Sequence, residues 1–254
     1  MGVLELCVDS VASALAAEAG GAHRIELCSA LSEGGLTPSL GLLRNLRSKL
    51  NIPIHVMIRP RTGDFLYSDD DFAIMQEDIA LAAQSGANGV VFGLLTSNGE
   101  VDTERTRALV KLSKPMQVTF HRAIDLTSDP FKALEAIIDS GADRVLTSGG
   151  ELNAILGSGR IQGFVRAARG RIHVMVGGGV RPENLAELVR ATGAKEWHTS
   201  LRRPSVKPDE HAPVTNLLAQ QLGIEQPAPA LQSEDVRRLR QILDTADQLE
   251  QSDS

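Results

Sequence analysis

The chain has 254 residues, with 26 Lys and Arg against 32 Asp and Glu, a formal net charge of −6 at pH 7. That balance argues against nucleic acid or an anionic membrane as the principal partner, and 42% apolar with 23% charged residues suits a globular chain able to bury its own core. No window holds 18 uninterrupted apolar residues, and the opening MGVLELCVDS has no basic region before an apolar stretch, so neither a membrane span nor export is predicted.

Short apolar runs alternate with longer amphipathic stretches along most of the chain. The runs predict strands over 4–8, 24–28, 54–59, 89–94, 117–122, 144–147, 172–176 and 196–200. Helical spacing fills the intervals at 10–19, 39–50, 69–85, 102–112, 130–140, 152–168 and 182–191. Gly20, Gly86, Gly141 and Gly193 each follow a helical stretch, where a positive φ is wanted. Pro38, Pro130 and Pro182 stand where a first helical turn tolerates a missing N–H. The phrase Gly-Ala-x-x recurs before the second, fourth, sixth and eighth strands, a repeated helix-to-strand turn. A doubly wound nucleotide-binding sheet would place Gly-x-Gly-x-x-Gly after the first strand, but Val8-Asp9-Ser10 stands there. The expected fold is therefore an α/β chain forming a single (β/α)8 TIM-type barrel over residues 1–254. Residues 201–230, rich in Pro, Gln and Ala, read as an irregular excursion, and residues 233–249 as the eighth helix with Ser233 as its N-cap.

Barrel strands point alternate side chains inward, and a purely structural interior is mostly Val, Ile and Leu. Here one alternating set is polar or soft: Glu5 and Cys7, Glu26 and Cys28, His55, Met57 and Arg59, Thr119 and His121, His173, Met175 and Gly177, then His198 and Ser200. The other set, including Leu4, Leu6, Ile25, Leu27, Ile54, Val56 and Val174, is what helices would cover. Charges on the barrel axis need partners, so Glu5 and Glu26 are expected to meet Arg59, Arg122 or a histidine. Cys28, Arg59, His121 and His198 fall at strand C-terminal ends, where barrel enzymes keep their chemistry, while Glu5, His55 and His173 should lie deeper.

Two chemistries are open to this cluster. Gly177, Gly178 and Gly179, followed by Arg181 and entering a helix, offer backbone amides to an anion, with Ser148 as a second wall. In that reading a small phosphorylated or carboxylated metabolite is the substrate. Glu26 or His121 serves as acid–base group, Arg59 and Arg122 neutralise developing charge, and no organic cofactor is called for. The matching phrases Leu-Glu-Leu-Cys (4–7) and Ile-Glu-Leu-Cys (25–28) put Cys7 and Cys28 at equivalent points of neighbouring strands, which lie about 4.8 Å apart. Without an export signal they are expected as thiols. They suit Cu(I), with Met57 or His121 as a further donor, or serve as two small buried apolar side chains. The stretch 59–68, holding Gly63 and Tyr67, reads as a mouth loop, either a lid or a surface turn.

Assembled, these segments resemble the CutC family, named for copper homeostasis. The resemblance is carried by 4–10 (LELCVDS), 24–39 (RIELCSALSEGGLTPS), 55–65 (HVMIRPRTGDF), 118–125 (VTFHRAID), 147–150 (TSGG) and 177–184 (GGGVRPEN). It implies a TIM-type barrel, a cytoplasmic location, a homodimer or higher homo-oligomer, and copper as the ligand. It brings no settled enzymatic activity. Where the family is usually glycine- and serine-rich before its last helix, residues 201–230 are Pro- and Gln-rich.

Overall fold

In the computed structural model, which describes residues 2–201 and 230–252, eight parallel strands close into a barrel in chain order. They are β1 (Val3–Val8), β2 (Arg24–Leu27), β3 (Ile54–Met57), β4 (Gly89–Phe92), β5 (Gln117–Phe120), β6 (Arg144–Thr147), β7 (His173–Val176) and β8 (Glu196–Thr199). The helices are α1 (Val11–Ala19), α2 (Leu40–Arg47), α3 (Asp69–Gln84), α4 (Thr103–Ser113), α5 (Pro130–Ser140), α6 (Ser158–Ala168), α7 (Pro182–Thr192) and α8 (Ser233–Ser252). The predicted barrel is thus the observed one. The irregular excursion expected over 201–230 lies, except for its two end residues, outside the described residues.

Several strands end a residue or two before their predicted limits. The chain bends into the mouth loops there, although Cys28, Ile58 and His121 still donate backbone hydrogen bonds to the adjacent strand. Side chains just past the ladder therefore still face the mouth.

Outward positions bury the apolar set under the helices. Leu4, Leu6, Ile25, Leu27, Ile54, Phe92, Phe120 and Trp197 are buried almost completely. Serine or aspartate caps open α1 to α5: the Ser68 hydroxyl and the Asp71 carboxylate form a reciprocal capping box on α3, and the Asp129 carboxylate accepts from Phe131 and Lys132 at α5. One predicted turn shifts. The positive φ after α1 falls on Gly21, and Gly20 is instead required by close packing, because a Cβ there would stand 2.4 Å from Val236 Cβ of α8. Val236, Leu239 and Leu243 bury α8 against α1 and α7, which completes the helical ring. Among the described residues no helix is long and apolar enough to cross a membrane.

Candidate functional site

The barrel interior carries a continuous column of ionic and soft side chains. At the strand N-terminal ends, Arg24 of β2, Arg144 of β6 and Glu196 of β8 are all buried. Glu196 accepts hydrogen bonds from both guanidiniums, and Arg24 also donates to Glu5. Expected partners for Glu5 were Arg59, Arg122 or a histidine. The structure supplies Arg24 and His198, whose Nδ1 lies 2.7 Å from Glu5 Oε1, whereas neither Arg59 nor Arg122 takes part. The Arg24, Arg144 and Glu196 signals were available, because each shares the inward parity of its strand. Burial alone would raise the Glu5 carboxyl; the Arg24 charge and the His198 hydrogen bond outweigh it and hold Glu5 well below the usual carboxylate range. His173, expected deep, is instead exposed at the bottom of the barrel, with Nδ1 3.3 Å from Glu196 Oε1.

Above Glu5 the column turns towards the mouth. Glu26 Oε2 lies 3.8 Å from His198 Nε2 and accepts from Cys28 Sγ at 3.4 Å. Burial pushes the Glu26 carboxyl up, beyond what the His198 charge offsets. For His198 the balance reverses: burial lowers it, and Glu26 and Glu5 together raise it. The thiols do not stand at equivalent register points. Cys7 pairs with Glu26 across β1 and β2, so the stagger of the closed barrel sets Cys28 two residues higher. Their sulfurs still meet diagonally at 3.5 Å, packed with Met57 and Val91. The hydrogen bond between the thiols and their burial raise Cys7 well above its ordinary value; Cys28 is lowered by that bond, but burial and Glu26 push it to about 12.

The mouth encloses a cavity of about 280 Å³, lined among others by Cys7, Glu26, Met57, Arg59, His121 and His198. Glycines make room for the buried histidines, His55 in the column and His121 in the cavity wall. A Cβ on Gly89 would stand 2.6 Å from His55, and one on Gly93 2.6 Å from His121. His121 accepts the Ala123 amide proton at Nδ1, which leaves Nε2 buried without a partner. Burial, and secondarily the Arg59 charge, lower His121 to about 3, so its ring is neutral. Phe65, from the predicted mouth loop, stands between Arg59 and His121, 5.2 Å from the guanidinium carbon and 4.7 Å from the imidazole centroid.

The expected anion wall is only partly as predicted. Gly178 and Gly179, both at positive φ, line the cavity with Arg181. Gly177 does not, because its amide bonds Thr147 O in the barrel ladder. Ser148 is already occupied: its amide and hydroxyl both donate to Asp125. The Gly150 amide and the Thr147 hydroxyl also donate to Asp125. The nest after β6 therefore holds the protein's own carboxylate. Arg122 lines the same cavity from a short turn after β5, half-exposed, paired with Asp125 and donating to Ser148 Oγ at 2.7 Å.

The comparisons with known proteins decide the family. A model described as the CutC family matches residues 2–203. The chain belongs to the CutC family. Over 200 residues it is 50% identical to the Homo sapiens copper homeostasis protein cutC homolog, covering 79% of this chain and 73% of that one. It is 52% identical over 207 residues to a CutC family protein of Vibrio vulnificus, covering 80% and 82%. A solved putative copper homeostasis protein CutC from Streptococcus agalactiae superposes with a TM-score of 0.75 at 34% identity, covering 79% of this chain and 99% of that structure. The matches thus reach the barrel through β8, and the CutC-family portion includes every residue of the mouth described above.

Proposed function

We propose that this CutC-family chain serves copper homeostasis by binding Cu(I) between Cys7 and Cys28, in a reducing cytoplasmic setting. The observation that carries the reading is the 3.5 Å approach of the two sulfurs at the barrel mouth, with a third donor at hand. Cys7, Glu26 and His198 offer one ligand atom each, all within 4.8 Å of one another. The His198 ring is oriented for the task, since Nδ1 is held by Glu5 and Nε2 lies 3.8 Å from Glu26, in the same donor group as Cys7. A carboxylate behind a ligating imidazole fixes its orientation and raises its basicity. Two sulfurs and an imidazole, with Met57 packed beside them, form a soft set that suits Cu(I). His121, the other donor expected from sequence, faces the same cavity from beside Phe65.

The test is competition of the reduced protein against a chromogenic Cu(I) chelator, with Zn(II) titrated in parallel. One tightly held Cu(I) per chain, lost in the Cys7→Ser, Cys28→Ser double variant, is the expected result. Stoichiometric Cu(I) retained by that variant, or tighter binding of Zn(II) to the same pair, overturns it.

A further inference from the structure

The copper reading leaves a second group of mouth residues without a task. Arg59 is only 6% exposed, and its guanidinium donates to three backbone carbonyls, those of Glu33, Gly35 and Gly63. Its Nε has no partner. No carboxylate among the described residues comes within the 4.0 Å that defines an ion pair with it. Carbonyl dipoles and the Phe65 ring solvate the cation without neutralising it. A buried charge lacking a counter-charge is costly, and proteins normally pair it.

Beside it stands a second unmet demand. His121 is 5% exposed, and because Nδ1 accepts from Ala123, Nε2 of the neutral ring carries the proton. That buried N–H has no acceptor and belongs to the same cavity wall. Across the mouth, the amides of Gly178 and Gly179 donate to no described residue. A cation without an anion and a donor without an acceptor, together lining about 280 Å³, define the missing partner. It is negatively charged, rich in oxygen and small, since ligand pockets for larger organic molecules run from roughly 300 to 1,000 Å³.

We infer that the mouth cavity is a binding site for a small organic oxyanion, with Arg59 as its counter-charge and the His121 Nε2–H as its hydrogen-bond donor. The carboxylate or phosphate group pairs with Arg59, and a further oxygen of the ligand accepts from His121. Phe65 fixes both recognition groups by packing between them. The oxyanion shares this cavity with Cys7, Glu26 and His198, but its two recognition groups, Arg59 and His121, are not among the Cys7, Cys28 and His198 donors of the copper reading.

The experiment is a thermal-shift titration of reduced, metal-free full-length protein with pyruvate and, separately, inorganic phosphate, at ionic strength matched with chloride. Saturable stabilisation by either oxyanion is expected, with the apparent Kd at least about tenfold weaker in Arg59→Gln, as loss of one charged contact implies. Which probe binds reports whether the carboxylate or the phosphate form is preferred. His121→Phe should weaken binding as well, and it keeps the inference testable if Arg59→Gln does not fold. The Cys7→Ser, Cys28→Ser variant should bind the oxyanion as the native chain does, while Arg59→Gln keeps its copper. No stabilisation beyond chloride by either probe, or equal stabilisation of native, Arg59→Gln and His121→Phe proteins, overturns the inference.

Discussion

Cys7 and Cys28 bring their sulfurs to 3.5 Å even though the β1–β2 register sets Cys7 opposite Glu26. The diagonal arises from the barrel's stagger, which lifts one strand by two residues against its neighbour and points both side chains inward.

Copper capture by this pair should release protons. Both thiols are raised above their ordinary values, Cys28 to about 12, so the metal-free pair is protonated at neutral pH. Ligation requires thiolates. Calorimetry in two buffers of different ionisation enthalpy should therefore show about two protons released per Cu(I), and the apparent affinity should rise up to about 100-fold per pH unit, tenfold for each thiol. Proton release near zero would mean that the ion is held by other groups.

The lower part of the column is structural, and Arg24→Met tests that assignment. The substitution leaves Glu5 buried with only His198 and His55 near it, and Glu196 with Arg144 and the exposed His173. Removing one partner from a buried ion pair typically costs about 3–5 kcal/mol. Chemical denaturation should show a loss of that size, with copper stoichiometry intact in whatever fraction folds. A change under about 1 kcal/mol would place the network's contribution elsewhere.

The barrel was legible in the sequence because its signals repeat. Four Gly-Ala-x-x turns and eight short apolar runs repeat one unit along the chain, and no single one has to be right. The inward set was legible from parity too, and Glu26, His121, Arg59 and Cys7 do line the mouth, with Cys28 buried behind Cys7. What parity cannot show is pairing. Arg24, Arg144 and Glu196 stand at strand starts, and only the register brings them together at the floor of the barrel. Likewise the phrase Thr147-Ser148-Gly149-Gly150 looks like an anion nest, but its anion is Asp125, which lies 22 residues before Thr147 and enters from the turn after β5. A ready-made amide nest in sequence does not reveal whether the chain fills it itself.

Acid should weaken the fold through buried neutral histidines. His121 is lowered to about 3 and His55 to about 4, in both cases by burial first. A depressed folded value contributes stability that is complete above the unfolded value of about 6.5 and is lost as pH falls towards the folded one. His198, raised in the fold, has the opposite sign, and its contribution is lost as pH rises through its folded value. Between pH 6 and 5 each of the two buried rings gives an acid-side loss with a slope of up to roughly 1.4 kcal/mol per pH unit, offset in part by Glu26, whose carboxyl burial raises. Urea unfolding across that window should show the steep acid-side loss, and His121→Phe should remove about half of it. An unchanged slope in that variant would mean His121 titrates normally in the fold.

Gly93→Ala separates the two halves of the mouth. A Cβ there would stand 2.6 Å from His121 Nδ1 and 3.1 Å from Ala123 Cβ, and the imidazole has Phe65 and Phe120 against it. The ring must therefore move, and overpacking of this kind costs typically about 1–3 kcal/mol. Moving it misplaces the Nε2–H, so oxyanion affinity should fall several-fold, whereas Cu(I) stoichiometry should hold because the atoms nearest the added methyl belong to His121 and Ala123 and not to either cysteine. Gly159→Ala serves as the control. It lies in α6 with nothing within 4 Å of the added methyl, and it should stabilise by about 0.4–1 kcal/mol with both ligands unaffected. Loss of copper binding together with oxyanion binding in Gly93→Ala would show that the mouth acts as one site; loss of the oxyanion alone, beside an unaffected Gly159→Ala, would show that it holds two.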